Sequence, residues 1–221
     1  MKFETKDLLT VDEISDEEFS TLIDHSIKLK EENKTGKGKP LLENKTLAML
    51  FEKPSTRTRV SFETGMLQLG GHTVNLSLNE MQHSRGESVE DTAKTLSGYV
   101  DAIVARVYEH SFIEDLAKHA TIPVINGLSN SYHPCQTLAD MMTIKEQFGV
   151  FKDLKIAWIG DGNNVANSLI QAATKFEFNL KIGCPKKYKP NALLLNWAKK
   201  NKGKIKILHK ASKAARDADV I

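Results

Sequence analysis

In FEKPSTRTRVSFE (51–63), three hydroxyl residues and two arginines occupy five consecutive positions: Ser55, Thr56, Arg57, Thr58 and Arg59. An apolar run ends at Phe51 and Pro54 interrupts it, so Ser55 and Thr56 fall where a helix begins. A helix start offers unpaired N–H groups and a positive dipole end, which together attract an anion before any side chain is counted. The hydroxyls add donors, and Arg57 adds a planar fork suited to phosphate oxygens. Arg59, two residues along, is expected to point elsewhere. Three further segments carry polar groups of matching chemistry. ARVY places Arg106 at a strand end. HPCQTLAD places His133, Gln136 and Asp140 at a helix start that Pro134 suits. WIGDGNNVANSL (158–169) places Asn163 and Asn164 at a glycine turn, with Ser168 one turn further. Side-chain amides both donate and accept, so a pair of them suits the zwitterionic end of an amino acid. A dinucleotide turn would need the G-x-G-x-x-G spacing, which G-D-G-N-N lacks.

These residues need a frame to hold them. Apolar runs at 45–51, 72–77, 101–107 and 122–126 read as strands, alternating with helical patterns at 56–69, 88–98, 111–119 and 136–148. After Gly149 the rhythm restarts: strand 155–160, helix 164–176, strand 179–183, helix 190–201, strand 205–208. This βαβα order predicts an α/β fold of two doubly wound parallel-sheet domains, 1–149 and 150–221, joined by a hinge helix at 136–148. In such sheets ligands bind beyond the carboxyl ends of the strands, where the loop at 52–58 and Arg106 both lie. Upstream, Ser15 and Glu18 form a capping-box signature for a helix with an apolar stripe of Phe19, Leu22, Ile23, Ile27 and Leu29. EENKTGKGK (31–39) reads as a surface loop. ADVI (218–221) reads as the start of another buried strand, so the second domain is expected to be incomplete in this sequence.

Composition narrows the function classes. With 31 basic and 28 acidic residues in 221, the excess of +3 is too small to argue for nucleic acid, and anion affinity must come from local clustering. No apolar run reaches the length of a membrane span, and MKFETKDLLTVDEIS carries no signal-peptide h-region. Cys135 and Cys184 stand far apart in unlike contexts, which predicts no disulfide and a cytoplasmic setting. The seven histidines form no i, i+4 pair, so no metal site is expected.

S-T-R-T-R after a strand resembles the carbamoyl phosphate loop of the aspartate and ornithine carbamoyltransferases, and ARVY and HPCQTLAD match the family in order. NEMQHSRGES (79–88) matches a loop that, in the family, reaches a neighbouring subunit's site, with Gln82 the corresponding residue. The aspartate enzymes carry a lysine in S-x-x-K-G-E-S. Here Arg85 holds that place, so the G-D-G-N-N turn and the HPCQ wording favour the ornithine branch. The resemblance implies direct transfer of a carbamoyl group from carbamoyl phosphate to the side-chain amine of L-ornithine, with no cofactor and no covalent enzyme intermediate. It implies that Ser55, Thr56, Arg57 and Thr58 hold the phosphate. Arg106, His133 and Thr58 polarise the carbamoyl oxygen, and Gln136 fixes the carbamoyl NH₂. Asn164, supported by Asn163 and Ser168, binds ornithine. A homotrimer, or a multiple of one, is implied as well, in arginine metabolism. Aspartate or putrescine as acceptor, and a non-catalytic paralogue that only binds carbamoyl phosphate, are the alternatives. The family's Asp-x-x-x-Ser-Met and His-Cys-Leu-Pro segments have no counterpart within 1–221.

Overall fold

A computed structural model describes residues 3–78, 81 and 86–221. Its backbone forms two compact units, residues 1–9 with 25–130, and residues 10–24 with 131–221. This division differs from the expected boundary near 150. Helix 134–148 packs against helix 164–175 and so belongs with the second unit, as does the first part of the N-terminal helix.

The first unit holds a four-stranded parallel sheet of β1 (Thr46–Phe51), β2 (His72–Ser77), β3 (Ala102–Arg106) and β4 (Val124–Leu128), in the order β2-β1-β3-β4. Between the strands run α2 (Arg57–Gln68), α3 (Val89–Ser97) and α4 (His110–His119). Strand side chains alternate faces, and β1 shows the result. Leu47, Met49 and Phe51 pack with Met66 and Val104 on one face. Ala48 and Leu50 pack on the other with Ile103, Ala105, Ile113 and Leu116. A strand apolar on both faces is what a parallel sheet covered on two sides requires. Edge strand β2 is largely exposed. An extended N-terminal segment joins the far edge, where the Leu8 amide donates to the Val124 carbonyl at 2.9 Å and the Asn126 amide to the Leu8 carbonyl at 2.8 Å.

The second unit holds β5 (Lys155–Ile159), β6 (Asn179–Gly183) and β7 (Ile205–Leu208), again parallel. Its helices are α5 (Pro134–Phe148), α6 (Asn164–Lys175), α7 (Ala192–Lys200) and a short α8 (Ala211–Ala215). Val220 bridges Ile156 in parallel on the side of β5 away from β6, in line with the strand expected at ADVI. Helix α1 (Asp16–Lys34) opens with the capping box: the Ser15 amide donates to Glu18 Oε2 at 3.0 Å, and the Glu18 amide to Ser15 Oγ at 3.1 Å. It runs to Lys34, further than expected, because Thr35 closes its last turn through bonds to the Glu31 and Glu32 carbonyls. Phe19 of this helix stacks on Phe176, with centroids 4.5 Å apart. Helix α8 was not expected. It is one turn long and anchored by the single buried Ala214, too little periodicity to read from sequence.

Candidate active site

In the first unit the chain leaves β1 for β2 on one side, while β3 lies on the other, so the β1/β3 boundary is the topological switch point of the sheet. Phe51 and Arg106 are register partners there, and the Glu52 amide donates to the Arg106 carbonyl at 2.9 Å. The loop 52–56 and the Arg106 side chain therefore leave adjacent strands from one level. Ser55 Oγ accepts the Thr58 amide at 3.3 Å, and Arg106 Nη1 donates to Thr58 Oγ1 at 3.3 Å. Thr56, at the N-cap of α2, makes no side-chain cap bond, and the first helical turn has no acidic residue. Arg106 is held below its usual range, first by burial and then by the neighbouring charge of Arg57. Its buried Nε has no hydrogen-bond partner among the described residues. Two guanidiniums thus lie close together beside a helix start that has one side-chain cap, Ser55 on the Thr58 amide, and no acid in its first turn. Arg59 lies 5.2 Å from the centroid of the Phe51 ring and packs on it, away from this group, as expected.

Two contributors were not singled out from sequence. Lys53 Nζ donates to Asn130 Oδ1 at 2.5 Å and sits 4.2 Å from the centre of the Tyr108 ring. Burial and then Arg106 push its ammonium below the usual range, against the opposing carboxylates of Glu52 and Glu109. Its place between Glu52 and Pro54, beside the S-T-R-T-R run, was the available signal. Gly127 is the other. The β3–β4 ladder shifts between Ala105, paired with Asn126, and Arg106, paired with Leu128, which leaves Gly127 as the extra residue. A Cβ there would lie 3.0 Å from Val104 Cγ2 and 3.7 Å from Thr58 Cγ2. Bulges commonly re-aim side chains beside active sites, and this one adjoins Arg106. Gln82 and Arg85 lie outside the described residues.

In the second unit, His133 is the N-cap of α5 with Pro134 in the first turn, and its amide donates to Ser168 Oγ at 2.9 Å. Ser168, expected to support ornithine, thus has its hydroxyl engaged in fixing the His133 backbone. Gln136 Nε2 donates to Asp140 Oδ1 at 2.9 Å. Burial pushes the Cys135 thiol up to about 12, outweighing the lowering effect of its backbone hydrogen bond at the helix start, so it is no ready nucleophile. The turn after β5 lies at the second switch point, between β5 and the Val220 bridge. Asn163 caps α6, its Oδ1 accepting the Val165 and Ala166 amides at 3.0 and 3.1 Å, while its Nδ2 donates to Asp161 Oδ1 at 2.9 Å. Asn164 follows as the first helical residue, its Oδ1 accepting the Val165 amide at 3.0 Å. The Gly162 amide donates to the Tyr188 carbonyl at 2.7 Å, and a Cβ on Gly162 would fall 2.1 Å from Pro190 N. Among the described residues no three His, Cys, Asp or Glu side chains gather as a metal site, and no helix is long and apolar enough to cross a membrane.

Comparison with known proteins bears on the same segments. Residues 6–146 match the family described as "Aspartate/ornithine carbamoyltransferase, carbamoyl-P binding domain", and residues 152–221 match its "Asp/Orn binding domain". The chain is 50% identical to the ornithine carbamoyltransferase of Pyrococcus abyssi over 220 residues, which is 98% of this chain and 69% of that protein. It is 49% identical to that of Bacillus anthracis over 224 residues, all of this chain and 70% of that one. The solved ornithine carbamoyltransferase of Pyrococcus furiosus superposes with a TM-score of 0.94 at 48% identity, covering the whole of this chain and 72% of that structure. By sequence along its whole length and by fold, the chain belongs to the aspartate/ornithine carbamoyltransferase family, on its ornithine branch.

Proposed function

We propose that the chain transfers the carbamoyl group of carbamoyl phosphate to the side-chain amine of L-ornithine, giving L-citrulline and phosphate. The observation that carries the chemistry is the pairing of Arg57 and Arg106 at a helix start with no first-turn acid. Such a group is repulsive by itself and is completed by an anion. Ser55, Thr56, Arg57 and Thr58 hold the phosphate. Thr58, Arg106 and His133 donate toward the carbamoyl oxygen, whose negative charge grows as the neutral amine of ornithine attacks the carbon. Fixed donors stabilise that charge without reorganising during the step. The C–O bond to phosphate then breaks, the phosphate takes the proton that the amine gives up, and the same arginines receive the leaving hydrogen phosphate dianion. Gln136 accepts from the carbamoyl NH₂. Asn164 binds the amino-acid end of ornithine, with Asn163 holding the turn that carries it. No metal or redox step is needed, since the reaction moves one acyl group between two nucleophiles.

The test is phosphate release and carbamoylated product measured with ornithine, aspartate or putrescine as acceptor. Ornithine should be strongly preferred, and Arg57→Ala should remove the activity. Equal use of putrescine would mean that the asparagine turn does not read the α-amino acid end. We further infer a homotrimer in the cytoplasm in which Gln82 serves a neighbouring subunit's site. Mixing Arg57→Ala and Gln82→Ala proteins, each inactive alone, should then restore part of the activity in hybrid trimers. Failure to recover activity in hybrids verified by native mass spectrometry would place Gln82 in its own subunit's site.

A further inference from the structure

The carbamoyl group differs from an acetyl group by an NH₂ in place of a CH₃, and reading that difference takes a hydrogen-bond acceptor. Gln136 can supply one, but only in one of two orientations. A glutamine amide has an oxygen that accepts and a nitrogen that donates, nearly equal in size, so whatever holds one end decides which end faces a ligand. In this chain the holder is Asp140, one helical turn on and on the same face of α5. Gln136 Nε2 donates to Asp140 Oδ1 at 2.9 Å. An ionised carboxylate accepts and cannot donate, so the amide nitrogen must turn toward Asp140 and Oε1 must turn away. We propose that Asp140 is a positioning residue that sets the preference for a carbamoyl over an acyl group, by holding the Gln136 amide with its oxygen outward.

Two observations support this assignment. Asp140 is only partly exposed, and burial raises its carboxyl pKa, with the Gln136 hydrogen bond as the opposing influence. A carboxylate in such a place without the amide would be poorly solvated, so the two side chains need each other. Gln136 itself is exposed and opens the helix, where no neighbouring turn of α5 precedes it to fix its amide. A hydrophobic or alanine residue at 140 would leave both amide orientations open, and with them the sense of the hydrogen bond.

The inference rests on Gln136 contacting the carbamoyl NH₂, and the experiment separates the two claims. Phosphonoacetamide and phosphonoacetone are stable, equal in shape, and differ only in NH₂ against CH₃. Their binding is measured by calorimetry on the whole chain. The native protein should bind phosphonoacetamide about tenfold more tightly, the equivalent of about 1.4 kcal/mol. Gln136→Ala and Asp140→Ala should each bring the ratio close to one while affinity for phosphonoacetone stays unchanged. Asp140→Asn, which can donate as well as accept, should give an intermediate ratio. Asp140→Glu, which remains acceptor-only, should retain most of the preference. A ratio kept by Asp140→Ala but lost in Gln136→Ala overturns the positioning role and leaves the Gln136 contact standing. A ratio kept by both, or absent from the native protein, removes the Gln136 contact and the inference with it. Equal loss of both ligands in the Asp140 variants means a purely structural residue, which also overturns it. If Asp140→Ala fails to fold, the isosteric Asp140→Asn decides.

Discussion

The β1–α2 loop and the β5–α6 turn occupy the same topological place in their respective sheets, yet they treat their backbone groups in opposite ways. The first leaves its helix start largely open, with only the Thr58 amide taken, by Ser55 Oγ. Thr56 makes no cap bond, no acid stands in the first turn, and Arg57 and Arg106 add positive charge to an end already positive. The second closes its own. Asn163 takes two amides of α6 on one oxygen, Asp161 takes the Asn163 nitrogen, and Gly162 is fastened to the segment around Tyr188. A switch point is thus only a location. Whether it binds through its backbone and charge, or instead holds a side chain such as Asn164 steady, depends on whether the turn satisfies itself.

Removing the charge from the open loop should have the largest effect. Arg57→Ala deletes charge-assisted hydrogen bonds of about 1.5–3 kcal/mol each, so calorimetric affinity for phosphonoacetamide should fall by roughly a hundredfold or more. The melting temperature of the unliganded protein should not fall, because a like charge beside Arg106 has been removed. A lower melting temperature with affinity kept would mean that the arginines serve the fold rather than an anion, and the comparison would fail.

Crowding the closed turn comes next. Gly162→Ala drives a methyl into the backbone of Pro190. Overpacking of this kind destabilises by about 1–3 kcal/mol, which at about 2–4 °C per kcal/mol for a chain of this size is a drop of roughly 2–12 °C in thermal melts. An unchanged melting temperature would show that the turn is looser than the 2.7 Å bond to Tyr188 indicates.

The smallest effect makes the sharpest contrast. Asn163→Ala should lose about 1 kcal/mol of stability in urea denaturation, as N-cap removals do, whereas Thr56→Ala should lose less than about 0.5 kcal/mol because no cap bond exists to lose. Equal losses at the two positions would erase the distinction between an open and a closed helix start.

Much of this is legible in the sequence, and the reason is locality. The buried strand β1, the capping box at Ser15 and Glu18, and the Ser55–Thr58 loop all follow from neighbours a few positions apart. What escaped depends on pairing between distant segments. Lys53 gains its setting from Tyr108 and Asn130, and Gly127 from a register shift against β3. Ser168 was expected at the ornithine end, and its bond to the His133 amide joins residues 35 apart. The charge of EENKTGKGK suggests a loop from residue 31, but Thr35 supplies the bonds that close α1, which charge alone does not reveal.

The register shift at Gly127 also has a consequence for how this chain can change by descent. Most positions around an active site tolerate or reject a substitution according to the new side chain. Here the number of residues in β4 matters as much as their identity. Deleting Gly127 would let Leu128 follow Asn126 without interruption, restoring a regular ladder against Ala105 and Arg106. Leu128 already pairs with Arg106, so the register would be kept and the strand would lose the bend and extra twist that a bulge gives. The chain would then leave β4 at a different angle beside Arg106, which bears on how Asn130 reaches Lys53. Single-residue gaps should therefore be far rarer in this strand than point changes, although neither touches the substrate directly.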